Sequence, residues 1–432
     1  MALTKVTSGM VNPDPTNASN LSSGDVPLAQ LGNAPATDVT GLEADIALLA
    51  FKTQANGSLA RYGLADQVVD SFEDTSGIDL SGSTNEIRNT GSYIIGGTAG
   101  VSTTTKLTSG TSWTVPAGVY NAEVFIVAGG GGGGNDGGGG AGGVVHDTNH
   151  VLTAAGTVAY AIGAAGSGGT HGGVSGDGGN TTFSTLTSIG GGGGGTHGGA
   201  AANKAGRPGG CGGGGNYDCS PWEGGISTQQ TAGTPTSGTI TSYGTNGAKG
   251  WYGNSRFMGG GGGGATEEGG IPRLLDPIIG GKGGDGIFSD IETPSATNNM
   301  GVYAAGGGGS YNHSYSGALG RGGSQGGSGR DAGGAGGDGG AATGEDADSD
   351  SPGSAGGGAK SESGGTGGDG AAGVALIKYT PITEANLTMV STATEAKNAV
   401  TKGDIVMTYS DGVGTTTLNT DLTAEISADD GS

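Results

Sequence analysis

The chain has 432 residues, 105 of them glycine, and a formal net charge of −22 at pH 7. Because 17 basic residues stand against 39 acidic ones, the composition argues against nucleic-acid binding, which needs clustered lysine and arginine. Only 32% of the residues are hydrophobic, which argues against a large conventional core. The glycines therefore either form flexible linkers or occupy a regular structure that only glycine can enter.

The sequence has no apolar stretch of about 18 residues, the length that a membrane span requires. Its N-terminus also lacks the apolar centre of a signal peptide. We therefore expect synthesis in a cytoplasm without membrane insertion.

Residues 1–40 are predicted to form an extended arm. Prolines at positions 13, 15, 27 and 35 disfavour a helix, and the polar residues between them offer little surface to bury. Such a segment becomes ordered on a partner or stays unfolded.

Residues 41–110 are predicted to be a short helical segment followed by a connector. A helix is predicted from residue 41 to about residue 55, because Leu42, Ile46 and Leu49 have the spacing of one apolar helix stripe. That stripe is buried either between three copies of the chain, as an oligomerisation segment, or against the chain itself. Residues 59–72 are predicted to form a second short helix, and residues 75–110 short strands.

Residues 111–380 are predicted to form one glycine-rich domain, which begins and ends with strand-like stretches at 124–128 and 374–379. Its Gly-Gly-X repeats have the three-residue period of a polyproline-II helix, whose N–H and C=O groups need partners in neighbouring segments. This period favours a packed bundle over a flexible linker. Glycine tracts recur at residues 129–134, 190–195, 259–264, 306–309 and 356–358.

Residues 381–432 contain less glycine and are predicted to be a small separate β-module. Three strands are expected, at residues 387–390, 404–409 and 422–426. The abrupt end of this module suggests truncation.

The sequence gives little support for catalysis or metal binding. It contains no phosphate-binding loop, and no Cys/His cluster completes a zinc site. A calcium-type nonapeptide at residues 280–288 stands alone, whereas such repeats bind calcium in tandem. We expect His146 and His150 in an exposed loop and the acidic residues 345–350 in a solvated one. The chain is therefore predicted to be no enzyme and to need no cofactor or metal.

Cys211 and Cys219 lie on either side of a glycine run. They could form a short-loop disulfide in an oxidising setting or remain two free thiols.

Aromatic residues concentrate in the inserts between the glycine tracts. Rings that stack on apolar faces, with polar groups that fix orientation, suit recognition of a sugar or a surface protein. Alternatively, these rings cap the ends of the glycine bundle. The candidate receptor-binding residues are Tyr217, Trp222, Tyr243, Trp251, Tyr252, Phe257, Tyr311 and Tyr315.

Four stretches resemble the glycine-rich domain of bacteriophage tail proteins: residues 113–120 (WTVPAGVY), 124–134, 179–183 and 373–379. This resemblance implies a mainly β fold, a β-sandwich or jelly-roll-like domain with packed polyglycine-II helices. Residues 42–79, 387–390 and 417–422 also resemble segments of marine phage tail-fibre proteins.

The resemblance implies a non-enzymatic virion protein, a tail-fibre or tail-tip adhesin. In this interpretation residues 1–40 attach to other tail proteins, and Leu42, Ile46 and Leu49 hold a homotrimer together. The glycine-rich domain would recognise a glycan or protein on the host surface. Two alternatives remain open: a virion coat or decoration protein without receptor binding, and an extracellular glycine-rich matrix protein.

Overall fold

The structure is a computed structural model, and it describes residues 61–64, 67–70, 77–89, 93–218, 223–229, 239–253, 256–273, 280–289, 291–292, 302–312, 333–336, 343–360, 364–393, 417, 420 and 422–424. The predicted arm at residues 1–40 and the predicted helix with Leu42, Ile46 and Leu49 lie outside these residues. The chain divides into two compact units. The first contains residues 1–84, 92–94 and 388–432, and the second contains residues 85–91 and 95–387.

In the first unit, strands β1 (Arg61–Leu64) and β2 (Gln67–Asp70) form an antiparallel hairpin. The prediction of a second helix at residues 59–72 is therefore wrong. Tyr62 lies opposite Val69 and Gly63 opposite Val68. Aromatic and β-branched side chains favour strands, and glycine weakens a helix, so local propensity and cross-strand pairing agree here.

The described part of the C-terminal segment contains little regular structure. Thr388 and Ser391 form single antiparallel bridges with Thr84 and Ile78 in the first unit. The predicted strand at residues 404–409 lies outside the described residues. Within those residues there is no α-helix, only a 3-10 turn at Ala201–Asn203, and so none with the length and apolarity of a membrane span.

The remaining strands are β3 (Glu86–Asn89), β4 (Tyr93–Ala99), β5 (Thr103–Leu107), β6 (Ser112–Thr114), β7 (Asn121–Val127), β8 (Val144–Val151), β9 (Thr157–Ala161), β10 (Thr181–Phe183), β11 (Leu186–Ser188), β12 (Ile240–Tyr243), β13 (Trp251–Gly253), β14 (Arg256–Met258), β15 (Ile287–Phe288), β16 (Val302–Tyr303), β17 (Tyr311–Asn312), β18 (Val374–Tyr379) and β19 (Ile382–Glu384). The protein is thus mainly β, as predicted.

The largest sheet has five antiparallel strands in the order β12-β8-β7-β18-β5. Strand β18 lies between β7 and β5, with Val374 opposite Val127 and Lys378 opposite Glu123. The two strand-like stretches that begin and end the glycine-rich sequence are therefore direct neighbours. The longest glycine tracts all belong to the chain between these two paired strands.

Both faces of the central strands β7 and β18 are buried, which explains their continuous apolar sequences. One face shares a core with the four-stranded antiparallel sheet β11-β10-β9-β6. The other face, which includes Phe125 and Leu376, packs with Ala141, Cys211 and Tyr303 from the glycine-rich segments. The first core consists of Val115, Val119, Ala122, Val124, Ile126, Val145, Leu152, Tyr160, Phe183, Leu186, Ala375 and Ile377.

Three smaller sheets complete the described structure: β13-β14-β17, β15-β16 and β19-β4-β3. Each of these sheets is formed by short strands that lie between the glycine tracts or on either side of them.

Residues 129–134 leave strand β7 and run among other glycine-rich segments. Their N–H groups bond three segments in rotation, so that every third residue bonds the same neighbour. Partner numbers fall as tract numbers rise, so these three neighbours are antiparallel. The bonds are Gly129 to Gly179, Gly130 to Ala371, Gly131 to Gly140, Gly132 to Gly176, Gly133 to Gly368 and Gly134 to Gly137, with N···O distances of 2.8–3.0 Å.

The carbonyl groups of residues 129–134 accept bonds from three further segments with the same period. Here the residue numbers of donors and acceptors rise together, so these neighbouring segments run parallel to residues 129–134. The donors are Gly191 and Gly194, Gly166 and Gly169, and Gly356 and Ala359. Six described segments thus surround this tract and satisfy all its backbone groups. A period of three matches a helix with three residues per turn and no internal hydrogen bonds.

The same arrangement extends through the domain, and we call it the glycine lattice. Residues 137–143 donate in rotation to the segments around Gly195, Gly260 and Gly356. Residues 259–265 donate in rotation to the segments around Ser310, Gly215 and Gly270. The predicted period of three in the sequence is therefore also the period of the hydrogen bonds.

Neighbouring segments lie so close that a side chain cannot enter between them. A Cβ added at Gly133 would lie well inside the van der Waals distance of the Gly357 carbonyl oxygen, and one at Gly262 would meet Gly139 in the same way. Backbone atoms cannot move aside as a flexible side chain can. Glycine at these positions is therefore required by close approach between backbones.

We predict that Gly133→Ala lowers the free energy of unfolding by at least about 3 kcal/mol, the upper end of the usual cost of overpacking. Gly364→Ala is the matched control, because a Cβ there has no atom within 4 Å and only its φ of +68° is unfavourable. We expect the control to cost about 1–2 kcal/mol. Thermal or denaturant unfolding measures both, and equal losses would contradict the close-packed lattice.

Candidate functional site

The glycine lattice has two ends. At one end, residues 129–134 begin directly after β7. At the other end the chain turns back through Asn135 and Asp136, and Asp136 has an unusual φ of 152°. We call this second end the distal end, because it is opposite the five-stranded sheet.

Segments parallel to residues 129–134 reach the distal end with their last residues. The parallel segments 166–169 and 191–194 lead to His171 and His197. Segment 211–214 runs antiparallel to residues 137–143, which themselves run antiparallel to residues 129–134. It therefore has the same direction as residues 129–134, and it leads to Tyr217 at the distal end.

Other inserts reach the distal end from neighbouring segments. Gly215 donates to Ala248 at 2.8 Å, just before Trp251 in β13. Ser310 donates to Asp136 at 2.8 Å, just before Tyr311 in β17. Strand β14 pairs with both β13 and β17, which places Phe257 at the same end. The lattice thus gathers inserts from distant parts of the sequence.

Five rings form a continuous line at the distal end, and we call it the aromatic row. Its members, in order, are His171, His197, Tyr217, Phe257 and Tyr252. Successive ring centroids are 5.2, 4.9, 4.4 and 5.1 Å apart. The last pair is stacked, with an interplanar angle of 11°.

The aromatic row is open to solvent at its two ends. Tyr252 is 58% exposed and His171 is exposed, whereas Tyr217 in the middle is buried. Phe257 stacks on one face of the Tyr252 ring, and much of Tyr252 remains exposed to solvent. A ring that is both exposed and held by a neighbour can bind an apolar face at low entropic cost.

Side-chain amides fix the backbone beneath this row. Asn135 donates its amide Nδ2 to the carbonyl oxygen of Gly365 at 2.8 Å. Asn216 donates in the same way to Thr196 at 3.0 Å, and Thr196 donates its hydroxyl to Gly173 at 2.8 Å. Asn135, Asn216 and Thr196 are all buried, so the inserts are held by bonds away from water.

Polar side chains also take the place of missing neighbours at the side of the lattice. Gly190 and Gly193 donate to Asn180 Oδ1 at 2.8 Å and to Asp177 Oδ1 at 2.9 Å, which preserves the period of three. Arg207 pairs with the other Asp177 oxygen and donates to Ser175. These side chains complete the hydrogen bonding where no further glycine segment follows.

The structure places only some of the predicted receptor-binding aromatic residues in the aromatic row. Tyr217, Tyr252 and Phe257 lie together in the aromatic row, and half-buried Trp251 lies beside them in β13. Tyr311 is only 2% exposed, so it packs inside the distal end. Tyr243 lies in β12 and packs against the second core, away from the distal end. Trp222 and Tyr315 lie outside the described residues.

Two residues of the row, His171 and His197, were not among the sequence candidates. Each follows a glycine segment by two residues, and that position is the signal that could have identified them. The expectation of an exposed loop for His146 and His150 is wrong, since both lie in β8. His150 is buried beside Asp147, with Nδ1 3.0 Å from Oδ2, and His146 is 2.9 Å from Glu123.

Among the described residues, no group of three or more His, Cys, Asp or Glu side chains could hold a metal ion. The glycines of the calcium-type nonapeptide belong to the lattice: Gly281 and Gly284 donate to Gly259 and Gly262. Lys282 lies within 2.8 Å of both Asp285 and Glu267.

Cys211 is a free thiol that is fully buried inside the lattice, and Cys219 lies outside the described residues. The Cys211 thiol donates to the Gly264 carbonyl oxygen at 3.1 Å. Burial raises the pKa of Cys211 to about 12. The folded chain therefore holds the thiol in its protonated, unreactive form.

We predict that Cys211 in a Cys219→Ser variant reacts with iodoacetamide at pH ~8 at least about 100-fold more slowly than in denaturant, because only the thiolate reacts. The raised pKa also means that this group's contribution to stability is present below about pH 9 and is lost as the pH rises toward 12. Labelling rates followed by mass spectrometry measure the difference. Rapid labelling of the folded protein would contradict burial in the lattice.

Comparison with known protein families identifies a match. No curated protein matches the chain. The family model described as a glycine-rich domain matches residues 103–330. The match begins at the first residue of β5, and the folded domain continues beyond it to β18, which completes the five-stranded sheet. Because the match covers more than half of the sequence, the chain belongs to the glycine-rich domain family.

Proposed function

We propose that this chain is a non-enzymatic structural protein of a bacteriophage virion, a tail-fibre or tail-tip adhesin that recognises a receptor on the host surface. The observation that carries the proposal is the aromatic row at the distal end of the glycine lattice. A row of rings that is exposed at its ends and held on a rigid support suits a recognition surface. The likeness of residues 113–120 and 373–379 to phage tail domains supports the same function.

We further propose that the domain is a β-sandwich or jelly-roll-like fold that carries packed polyglycine-II helices. The three-residue period of the hydrogen bonds and the six neighbours of residues 129–134 support this description. Such packing suits an adhesin, because it holds long inserts in place without a large apolar core.

Rigidity is the physical link between the lattice and recognition. Ordering a flexible loop on binding costs free energy, and a surface that is already ordered avoids that cost. Each insert of the aromatic row is held at its base by lattice hydrogen bonds. The lattice therefore supplies pre-organisation, and the rings supply the contact area.

The proposal includes the predicted virion and oligomer contacts of the N-terminal region. Residues 1–40 would attach to other tail proteins, and Leu42, Ile46 and Leu49 would form the core of a homotrimer. The protein would then be made in the host cytoplasm and function in the virion tail.

We predict that purified protein binds cells in a panel of bacterial strains and that Tyr252→Ala weakens this binding at least about tenfold, or about 1.4 kcal/mol. The ring is largely exposed, so the melting temperature should not change. Val101→Ala is the matched control, because Val101 is 84% exposed and lies outside the lattice.

The outcomes of this cell-binding experiment separate the candidate functions. Unchanged binding by Tyr252→Ala would reject the aromatic row as the receptor site. No binding to any strain, together with incorporation into virions, would favour a coat or decoration protein.

We also predict that the full chain sediments at three times its mass of 40.9 kDa. A Leu42→Asn/Ile46→Asn variant should sediment as a monomer, because polar side chains would interrupt the apolar stripe. Leu28→Asn, in the predicted arm, serves as the control and should remain trimeric. A stable wild-type monomer in analytical ultracentrifugation would reject the trimer.

A further inference from the structure

The charges of the described glycine-rich domain are unevenly distributed along the glycine lattice. The chain as a whole is strongly acidic, with 39 acidic and 17 basic residues. At the distal end, however, the described basic side chains outnumber the described exposed carboxylates. This contrast separates the distal end from the rest of the domain.

The lattice hydrogen bonds place four of the described basic residues at the distal end. For three of them the position follows from a hydrogen bond of their own backbone or of the residue just before them. Lys360 follows Ala359, and its carbonyl oxygen accepts a bond from Asn135. Lys249 follows Ala248, which accepts a bond from Gly215. The carbonyl oxygen of Lys204 accepts a bond from the N–H of Asn216 at 3.0 Å.

Arg273 reaches the distal end along its own segment. Gly264 donates to Glu267 and Gly261 donates to Gly270, so residues 267–270 run toward the distal end. Arg273 follows three residues later and is exposed. Lys249 is also exposed, and Lys360 and Lys204 are half-buried.

Among the residues that the structure describes, the two carboxylates at the distal end are buried or paired: Asp136 is buried, and Asp218 pairs with Lys204 at 2.6 Å. Other carboxylates lie farther along the lattice toward the five-stranded sheet. Their positions along the lattice follow from backbone hydrogen bonds, such as those that Gly206 donates to Glu223 and Gly357 donates to Glu345. These carboxylates include Glu223, Glu267, Glu268, Asp285, Glu345, Asp346, Asp350 and Asp369.

We propose that the distal end binds an acidic saccharide, a glycan that carries carboxylate or phosphate groups. This inference rests on the proposed function and names the ligand class of the same surface. The exposed face of Tyr252 would stack on the apolar face of a sugar ring. Lys249 and Arg273 would bind its acidic groups.

The total charge of −22 does not prevent such binding. At physiological ionic strength the Debye length is about 8 Å, so distant carboxylates are largely screened. An acidic glycan at the distal end therefore responds mainly to the charges within that range. The remaining acidic surface would keep the rest of the domain away from the same glycan.

The test measures binding of the full chain to three immobilised polymers: polygalacturonate, neutral dextran and polyglutamate. We expect binding to polygalacturonate that is at least about tenfold tighter than to the other two and that weakens as salt increases. Lys249→Gln/Arg273→Gln and Tyr252→Ala should each weaken it at least about tenfold. Lys106→Gln is the control for loss of a positive charge, since Lys106 lies in β5 and pairs with Glu292, and it should retain binding within about twofold.

Several results would overturn the inference. Equal binding to polygalacturonate and dextran would show that charge has no role, and equal binding to polygalacturonate and polyglutamate would show that the sugar ring has none. No binding to polygalacturonate, or full binding by Lys249→Gln/Arg273→Gln, would also reject it. If wild-type protein still binds bacterial cells in these cases, the adhesin function stands and only the ligand class is wrong.

Discussion

The structure depends on hydrogen bonds between glycine backbones that approach more closely than any side chain allows. Residues 129–134 use every N–H and C=O group in bonds to six neighbouring segments. Each glycine loses much conformational entropy on folding, and these bonds, together with tight backbone packing, offset that loss. The lattice is therefore a second kind of interior, built from backbone groups, beside the apolar cores of the two larger sheets.

The five-stranded sheet connects these two kinds of interior. One face of β7 and β18 packs on the apolar core shared with the four-stranded sheet, and the other face packs on the lattice. Because β7 leads directly into residues 129–134, the direction of the strand also sets the direction of the tract. The sheet thereby orients the lattice, and the lattice carries its inserts to the distal end.

Pre-organisation links this architecture to the proposed recognition of a host surface. Buried amides such as those of Asn135 and Asn216 hold the inserts by bonds to backbone carbonyl groups. In the proposed binding mode, the exposed Tyr252 ring and the basic residues Lys249 and Arg273 would act together as one recognition surface. A small apolar fraction in the sequence is compatible with this rigidity because the supporting bonds are between backbones.

Strand propensity and glycine spacing are local properties, so the sequence alone predicted the mainly β fold, the strand-forming stretches at β7 and β18, and the three-residue period of the tracts. The helix predicted at residues 59–72 and the exposed loop predicted for His146 and His150 were wrong. Residues 61–64 and 67–70 pair as a hairpin, in agreement with their own strand propensity, and both histidines lie in β8, where His150 is buried. The pairing of β7 with β18, and the choice of aromatic residues that meet, became visible only in the folded chain. Tyr217 joins His197 and Phe257, whereas Tyr243 packs elsewhere, because the direction of each lattice segment fixes the end at which its insert emerges.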